Sequence, residues 1–239
     1  MTQFLAGVPG DHVLARLAAA GGNEVESGKL NSPNSSAALA VNTFGWFIPR
    51  PELLPPLLQG IGSVRRVEVE LNARLPWRGG RHPWLDAAVW TDTHFVGIES
   101  KRYEPYRDHK AVRLSDAYSR PVWPDDLAPY ELLRDRLRSG TVRYTYLDAT
   151  QLLKHALGIV TEATRHKLLP CLVYIFAEPP GIAKSDLMRH REEIEHFVSL
   201  VGDASLVFRA ISYREWLAAW PEQGQVANHR RAVLTTFAP

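Results

Sequence analysis

Three β-rich runs follow one another at residues 64–71, 85–90 and 94–101, with no helical pattern between them. The first run alternates apolar and charged residues, which is typical of a half-buried strand. Only residues 91–93 separate the second run from the third, a spacing typical of a β-hairpin. The centre of the chain is therefore predicted to be three consecutive strands, and every other element must pack around them.

Helical patterns flank this centre on both sides, while residues 102–129 are polar and rich in turn residues. Asp11 is a plausible cap for the first helix, and Ser35 or Ser36 for the second. The predicted elements, in chain order, are helices at 11–20, 35–47 and 52–59, the three strands, helices at 130–137 and 148–159, a strand at 171–177, a helix at 185–201, a strand at 206–211 and a helix near the carboxyl end. Residues 1–239 are thus predicted to form one α/β domain with a mixed central sheet flanked by helices.

Composition narrows the functional class. Hydrophobic residues make up 45% of the chain and charged residues 23%, which excludes a disordered or fibrous protein. Lys and Arg number 28 against 26 Asp and Glu, so nucleic-acid binding has to be argued locally. Cys171 is the single cysteine, which excludes an internal disulfide and a cysteine-based zinc site. With neither a signal-peptide pattern nor a membrane-length apolar stretch, we expect a cytoplasmic protein.

The hairpin brings charged residues together. If its turn centres between Asp92 and Thr93, Asp86 faces Glu99 across the two strands, and Lys101 points from the same face. Opposed carboxylates repel unless a cation or a shared proton offsets the repulsion. Mg²⁺ accepts such a pair of oxygen ligands, and water and phosphate complete its coordination. An alternative interpretation is a solvated strand face on which Lys101 neutralises Glu99.

Asp86, followed after twelve residues by Glu99-Ser100-Lys101 at a strand end, resembles the motif of the PD-(D/E)XK nuclease superfamily, the restriction-endonuclease-like fold. The order of elements over residues 35–177 is similar to the core of that superfamily. The resemblance implies that Asp86 and Glu99 are ligands of Mg²⁺ or Mn²⁺ and that Lys101 is the catalytic lysine. Leu85 stands where the motif usually has proline.

A further acidic residue usually completes sites of this superfamily. Glu70 is preferred here because it lies nearer the end of the first strand than Glu68. Glu24 and Glu26, before the second helix, are weaker candidates. Alternatively, Glu68 and Glu70 pair with neighbouring arginines.

Gln151, Lys154 and His155 share one face of the helix predicted after the three strands. Members of the superfamily often place a glutamine or lysine from this helix beside the metal, so these residues are predicted to contact phosphate or to support a water molecule. The alternative interpretation is an ordinary solvated helix face.

Basic and aromatic residues surround the hairpin, a composition suited to phosphate and base contact. They are Arg74, Trp77, Arg78, Arg81 and Trp84 before it, and Lys101, Arg102, Tyr103, Tyr106, Arg107, Lys110 and Arg113 after it. The sequence therefore predicts a metal-dependent nuclease that acts on nucleic acid, with DNA favoured. The alternatives are a nuclease-like binding module without turnover and a phosphoesterase for small nucleotides. The sequence is silent on oligomeric state.

Overall fold

The computed structural model describes residues 4–21, 25–107, 111 and 113–239. The helices are α1 (Gly10–Ala20), α2 (Ser36–Gly45), α3 (Glu104–Arg107), α4 (Ala128–Ser139), α5 (Ala149–His166), α6 (Lys184–Val201), α7 (Tyr213–Ala218) and α8 (Gly224–Phe237). The strands are β1 (Val64–Asn72), β2 (Trp84–Thr91), β3 (His94–Lys101), β4 (Leu169–Phe176) and β5 (Val207–Ser212). Short 3₁₀ turns lie at Lys29–Asn31, Pro51–Leu53, Asp116–Ser119 and Asp125–Leu127.

The five strands form one mixed sheet in the order β1-β2-β3-β4-β5. The first three are antiparallel, whereas β4 runs parallel to both β3 and β5. Parallel neighbours need long crossover connections, and these contain α4 and α5 before β4 and α6 before β5. The predicted fold class, a restriction-endonuclease-like mixed sheet flanked by helices, is confirmed.

Two hydrophobic cores lie on opposite faces of the sheet, because strand side chains alternate between faces. On β3, Val96 and Ile98 pack into the core that includes α2, α7 and α8. Phe95 packs into the core built by α4, α5 and α6. Glu99 and Lys101 have the same parity as Phe95, so they point toward the face that α5 covers.

The two amino-terminal helices begin differently. Ser35 caps α2, since its Oγ accepts a hydrogen bond from the N–H of Ala38 at 3.1 Å. For α1 the prediction was wrong, because Pro9 occupies the cap position and Asp11 lies in the first turn, with no side-chain cap bond. The helix predicted at 52–59 is also wrong: it is a single 3₁₀ turn at Pro51–Leu53. Pro55 and Pro56 lack N–H donors and disfavour helical backbone before them.

At the carboxyl end the one predicted helix is two, α7 and α8, with Pro221 between them. Cys171 is buried, as expected of a core thiol. Within the part of the chain that the structure describes, every helix is too short or too polar to cross a membrane. The division into a core at about 35–177 with terminal extensions stays a prediction.

Close packing of α5 on β3 depends on Gly97. A Cβ atom built there would lie 2.4 Å from Cδ1 and 2.6 Å from Cγ1 of Ile159, and 3.0 Å from Cδ1 of Leu85. Ile159 and Leu85 are themselves fully buried, so neither has free space to move into. The absence of a side chain at Gly97 therefore sets how near α5 comes to the sheet.

We expect Gly97→Ala to lower the free energy of unfolding by about 1–3 kcal/mol, because it overpacks this contact. Ile159→Val removes the nearest methyl group, so the double variant should be less destabilised than the sum of the two single variants. Urea denaturation of all four proteins measures the coupling. Strict additivity would show that the contact does not limit the packing of α5.

Candidate active site

The sheet opens between β2 and β3 at Asp86. The predicted hairpin register is confirmed where the ladder exists, and the last backbone pair is Ala87 with Ile98. The predicted pairing of Asp86 with Glu99 does not continue the ladder. Instead, Oδ2 of Asp86 accepts a hydrogen bond from the N–H of Ser100 at 2.6 Å. A side-chain oxygen thus replaces the backbone carbonyl, and the carboxylate lies in the gap between the strands.

A break in the side-chain alternation of β2 places the carboxylate of Asp86 at this opening. Leu85 and Ala88 both pack into the core on the α5 face, although they are three residues apart, while Ala87 packs into the opposite core. Strict alternation would put Leu85 and Ala87 on the same face. The alternation is therefore broken at Asp86, between two well-packed stretches of strand.

Glu70 lies beside Asp86 on the neighbouring strand, because Val69 and Leu71 pair with the residues on either side of Asp86. Its φ angle is 49°, a left-handed value that is costly for a residue with a side chain. Nη2 of Arg16 donates a hydrogen bond to the carbonyl oxygen of Glu70 at 2.5 Å, which helps to stabilise the bend. The structure thus places Glu70 next to the sheet opening; its role in the site stays a prediction.

Glu99 is buried between two nitrogen atoms. Nζ of Lys101 contacts its Oε1, and Nδ1 of His155 lies 3.2 Å from its Oε2. The side chain of Glu99 is only 2% exposed and that of Lys101 17% exposed. The ion pair of the alternative interpretation is therefore present, but its solvent exposure is wrong, because a pair on a solvated face would be open to water.

The charges at the opening are unbalanced. Burial and the charge of Glu99 raise the pKa of Asp86 well above its usual range, and Lys101 only partly offsets them. Burial likewise raises the pKa of Glu99. Burial lowers the pKa of Lys101, but the two carboxylates raise it more, so the net shift is upward and the lysine stays cationic. Two carboxylates with raised pKa values indicate a site that more positive charge would stabilise.

His155 contributes no such charge. Burial, followed by the nearby Lys101, lowers its pKa to about 3, so the imidazole is neutral at physiological pH. It comes from α5, whose amino terminus Asp148 caps by accepting a hydrogen bond from the N–H of Gln151 at 2.9 Å. The helix therefore brings an uncharged nitrogen against Glu99 without neutralising it.

The donor set fits a magnesium-type cation. Mg²⁺ is typically bound by one or two carboxylates together with water and substrate phosphate. Asp86 and Glu99 supply two carboxylates, and a carboxylate has about four acceptor sites, more than the contacts above use. Among the described residues there is no group of three or more His, Cys, Asp or Glu side chains that could enclose a metal. The site thus suits an open, hydrated ion rather than a closed structural metal.

Glu104, on α3, is a charged neighbour of the site that the sequence analysis missed. Its Oε1 accepts a hydrogen bond from Oγ of Ser36 at 2.5 Å, and its Oε2 accepts one from the N–H of Arg102 at 2.9 Å. Burial raises its pKa, but these bonds outweigh burial and the net shift is downward. Its charge in turn raises the pKa of both Asp86 and Glu99. The only sequence signal was its position three residues after Lys101.

Of the other acidic candidates, Glu68 is paired with residues outside the sheet opening. Oε1 of Glu68 lies 2.7 Å from Nε2 of His12, and its Oε2 lies 3.4 Å from Nη2 of Arg66. The alternative that Glu68 pairs with a neighbouring arginine is therefore supported. Glu26 is exposed, and Glu24 lies outside the described residues.

A cleft of about 780 Å³ adjoins the carboxylates through His155, which belongs to both. Gln151 and Lys154 line this cleft with His155, so the structure brings the three predicted helix residues together on the side of the site. The remaining lining residues are Gly80, Arg81, His82, Pro83, Trp84, Ala111, Arg113, Ser115, Tyr118, Asp148 and Thr150.

One member of the predicted basic surface is not at the surface. Arg102 is buried, and its Nη2 donates a hydrogen bond to the carbonyl oxygen of Phe237 at the end of α8. It ties the carboxyl-terminal helix to the end of β3 and is unavailable for phosphate. Lys110 lies outside the described residues.

We expect Asp86→Asn to raise the thermal midpoint of the metal-free protein at pH 7 by roughly a few degrees. A carboxyl whose pKa is raised on folding takes up protons, so the folded state loses stability as pH rises above the usual value of about 3.9. Asparagine keeps the acceptor for Ser100 and removes the charge. Asp92→Asn is the control, because hydrogen bonding to Arg65 lowers the pKa of Asp92 and its loss should not stabilise. Equal shifts in both variants would contradict the expectation.

Comparison with known proteins identifies a family for this chain. A protein-family model described as a restriction endonuclease associating with ARP matches residues 11–234, which is most of the chain. No curated protein and no solved structure matches the chain. The matched range contains most of α1 and α8, all of α2 to α7, all five strands and every residue of the site described above. The chain belongs to this restriction-endonuclease family.

Proposed function

We propose that this protein is a nuclease that hydrolyses phosphodiester bonds in nucleic acid, preferentially DNA, with Mg²⁺ or Mn²⁺ as cofactor. The observation that carries the proposal is the sheet opening, where Asp86, Glu99 and Lys101 meet and the pKa values of both carboxyls are raised. Membership of a restriction-endonuclease family supports the same class of reaction.

In this proposal Asp86 and Glu99 hold the cation. The cation would supply charge stabilisation on the phosphate and promote ionisation of the attacking water. Asp86 is fixed by its hydrogen bond from Ser100, so one oxygen is oriented before any ligand binds. Lys101 remains protonated beside Glu99, and its Nζ can donate to an oxygen of the scissile phosphate as charge develops there.

The residues of α5 support these groups. Neutral His155 lies against Glu99 and limits the rotation of its carboxylate without competing for the cation's charge. Gln151 and Lys154 line the cleft beyond it, where they can contact the phosphate next to the scissile one. Glu70, beside Asp86, is the proposed additional carboxylate of the site, outside the pair of metal ligands.

Turnover is favoured over binding alone. Burying Glu99 and raising the pKa of Asp86 both cost stability, and a pure binding module would gain nothing from that cost. The association with ARP named in the family description would, for this chain, be an additional interaction. The cytoplasm is the proposed compartment, since one buried cysteine requires no oxidising environment.

Titration calorimetry with Mn²⁺ tests the metal ligands. We expect wild type to show one site, and Asp86→Asn and Glu99→Gln each to lose it, because an ion held by two carboxylates cannot tolerate the loss of either. Asp92→Asn, which lies on the same hairpin but away from the opening, should bind as wild type does. Unchanged Mn²⁺ binding in Asp86→Asn would remove this assignment.

Cleavage assays with Lys101→Ala test the catalytic role. Losing a donor to the developing phosphate charge should raise the barrier by about 3 kcal/mol, a loss of about a hundredfold in rate. Because Lys101 also pairs with buried Glu99, Lys101→Met should be compared, since it keeps the aliphatic stem. Lys184→Ala, at the exposed start of α6, is the control.

Circular dichroism and Mn²⁺ affinity separate catalysis from structure in these variants. A catalytic Lys101 predicts folded, Mn²⁺-binding variants that cut about a hundredfold more slowly than wild type. Variants that bind Mn²⁺ and cut at the wild-type rate would contradict the role.

A further inference from the structure

The cleft beside the carboxylates shares two elements with them. Trp84 lines the cleft and stands two residues before Asp86 on β2. Lys154 lines it too and directly precedes His155, which contacts Glu99. A ligand bound in the cleft would therefore lie next to the substrate group at Asp86 and Glu99.

Trp84 presents an aromatic surface to this cleft. Its side chain is half-buried, and among the described residues no other ring or cation stacks on it. The other half-buried tryptophans near the hairpin are already engaged: Trp77 contacts Tyr118 edge-on, and the guanidinium of Arg66 lies over Trp90. The indole of Trp84 is thus available to a ligand.

Three cationic side chains also line the cleft. Within the described part of the chain, no carboxylate lies within ion-pair distance of Arg81, Arg113 or Lys154, all of which line it. Burial lowers the pKa of Lys154; the charge of Asp148 partly opposes that shift and Arg113 adds to it, so an anion bound there would favour the charged lysine. Asp148 lines the cleft as well, but its carboxylate already accepts the N–H of Gln151.

A neutral hydrogen-bond donor completes the lining. Nδ1 of His82 accepts a hydrogen bond from the N–H of Leu75 at 3.0 Å. This bond requires Nδ1 to be unprotonated, so the neutral ring carries its proton on Nε2 and can donate from there. The cleft thus combines an aromatic face, cations and a donor, which is the combination that contacts base faces, phosphates and base edges.

We infer that this cleft takes unpaired nucleotides, with a base stacked on Trp84 and phosphates against Arg81, Arg113 and Lys154. The inference deepens the proposed function, on which it rests, by naming single-stranded nucleic acid or a frayed strand end as the substrate form. In a duplex the bases are stacked on one another and present only their edges in the grooves. A duplex therefore cannot use the indole, whereas an unpaired strand engages every feature of the lining.

Fluorescence anisotropy on the full chain tests this in EDTA, so that cleavage plays no part. The probes are a labelled twelve-nucleotide single strand of DNA, the same sequence in RNA, and the DNA duplex. We expect a single strand to bind at least about fivefold more tightly than the duplex. Trp84→Leu should remove about fivefold or more of single-strand affinity and leave duplex affinity unchanged. Comparing the DNA and RNA single strands shows which of the two is bound more tightly. A preference for either one over the duplex supports the inference.

Matched variants outside the cleft control for unfolding and for the loss of any tryptophan or any positive charge. Trp90→Leu changes a half-buried tryptophan on the same strand outside the cleft and should bind single strands as wild type does. Lys154→Gln, on the partly exposed face of α5, should reduce the slope of log affinity against log salt by about 0.7. Lys184→Gln should leave the slope unchanged. If Trp84→Leu does not fold, the comparison of Lys154→Gln with Lys184→Gln decides whether the cleft binds the single strand.

Failure of the inference and failure of the proposed function give different results. Equal affinity for single strand and duplex, or unchanged single-strand binding in folded Trp84→Leu, would overturn the inference even if the wild type cuts DNA with Mn²⁺. Single-strand binding that depends on Trp84, with no cleavage under any divalent cation, would uphold the cleft assignment and overturn the proposed hydrolysis.

Discussion

The site depends on one buried carboxylate, Glu99, which β3 delivers to the face covered by α5. A carboxylate removed from water is unfavourable unless positive charge or hydrogen bonds compensate it. Lys101 and His155 provide contacts from β3 itself and from α5, but the pKa of Glu99 stays raised. The surrounding side chains therefore only partly stabilise the charged form of this carboxyl, and the candidate chemistry follows from this incomplete compensation.

The backbone contributes as much as the charges. Asp86 replaces a carbonyl in the β2–β3 ladder, so the strands separate where two antiparallel neighbours would otherwise continue to pair. On the next strand, Glu70 adopts a left-handed backbone at the position beside Asp86. Both irregularities are costly and sit between well-packed segments, an arrangement common at functional sites. Gly97 then lets α5 approach closely enough for His155 to reach Glu99.

Hydrogen bonds between residues far apart in the sequence hold the end of β3 at this opening. Oγ of Ser36 at the start of α2 and the N–H of Arg102 both donate to Glu104, which links α2 to the segment after β3. Arg102 itself donates to Phe237, so α8 is attached to the same point. Ser100, the residue between Glu99 and Lys101, contacts the hydroxyl of Tyr213 through its Oγ at 2.7 Å. The carboxyl-terminal helices thus brace the strand that carries the motif.

The sequence by itself determined the parts that depend on neighbours along the chain. Alternation and the short 91–93 connection were sufficient to predict the strands and the hairpin register, and parity alone placed Glu99 and Lys101 on one face. Spacing of three and four residues likewise put Gln151, Lys154 and His155 on one side of α5. Local rules failed where proline interrupted a helical pattern, as at Pro55 and Pro56.

Only the tertiary structure decided how these parts meet. The hydrogen bond from Ser100 that takes Asp86 out of the ladder, the backbone bend at Glu70 and the junction of Glu104 with Ser36 all join residues whose relation no local period encodes. Burial decided the state of the charges, since the same Glu-x-Lys spacing on an open strand would be a weak solvated pair. Here α5 excludes water from Glu99, and the loss of hydration raises its pKa.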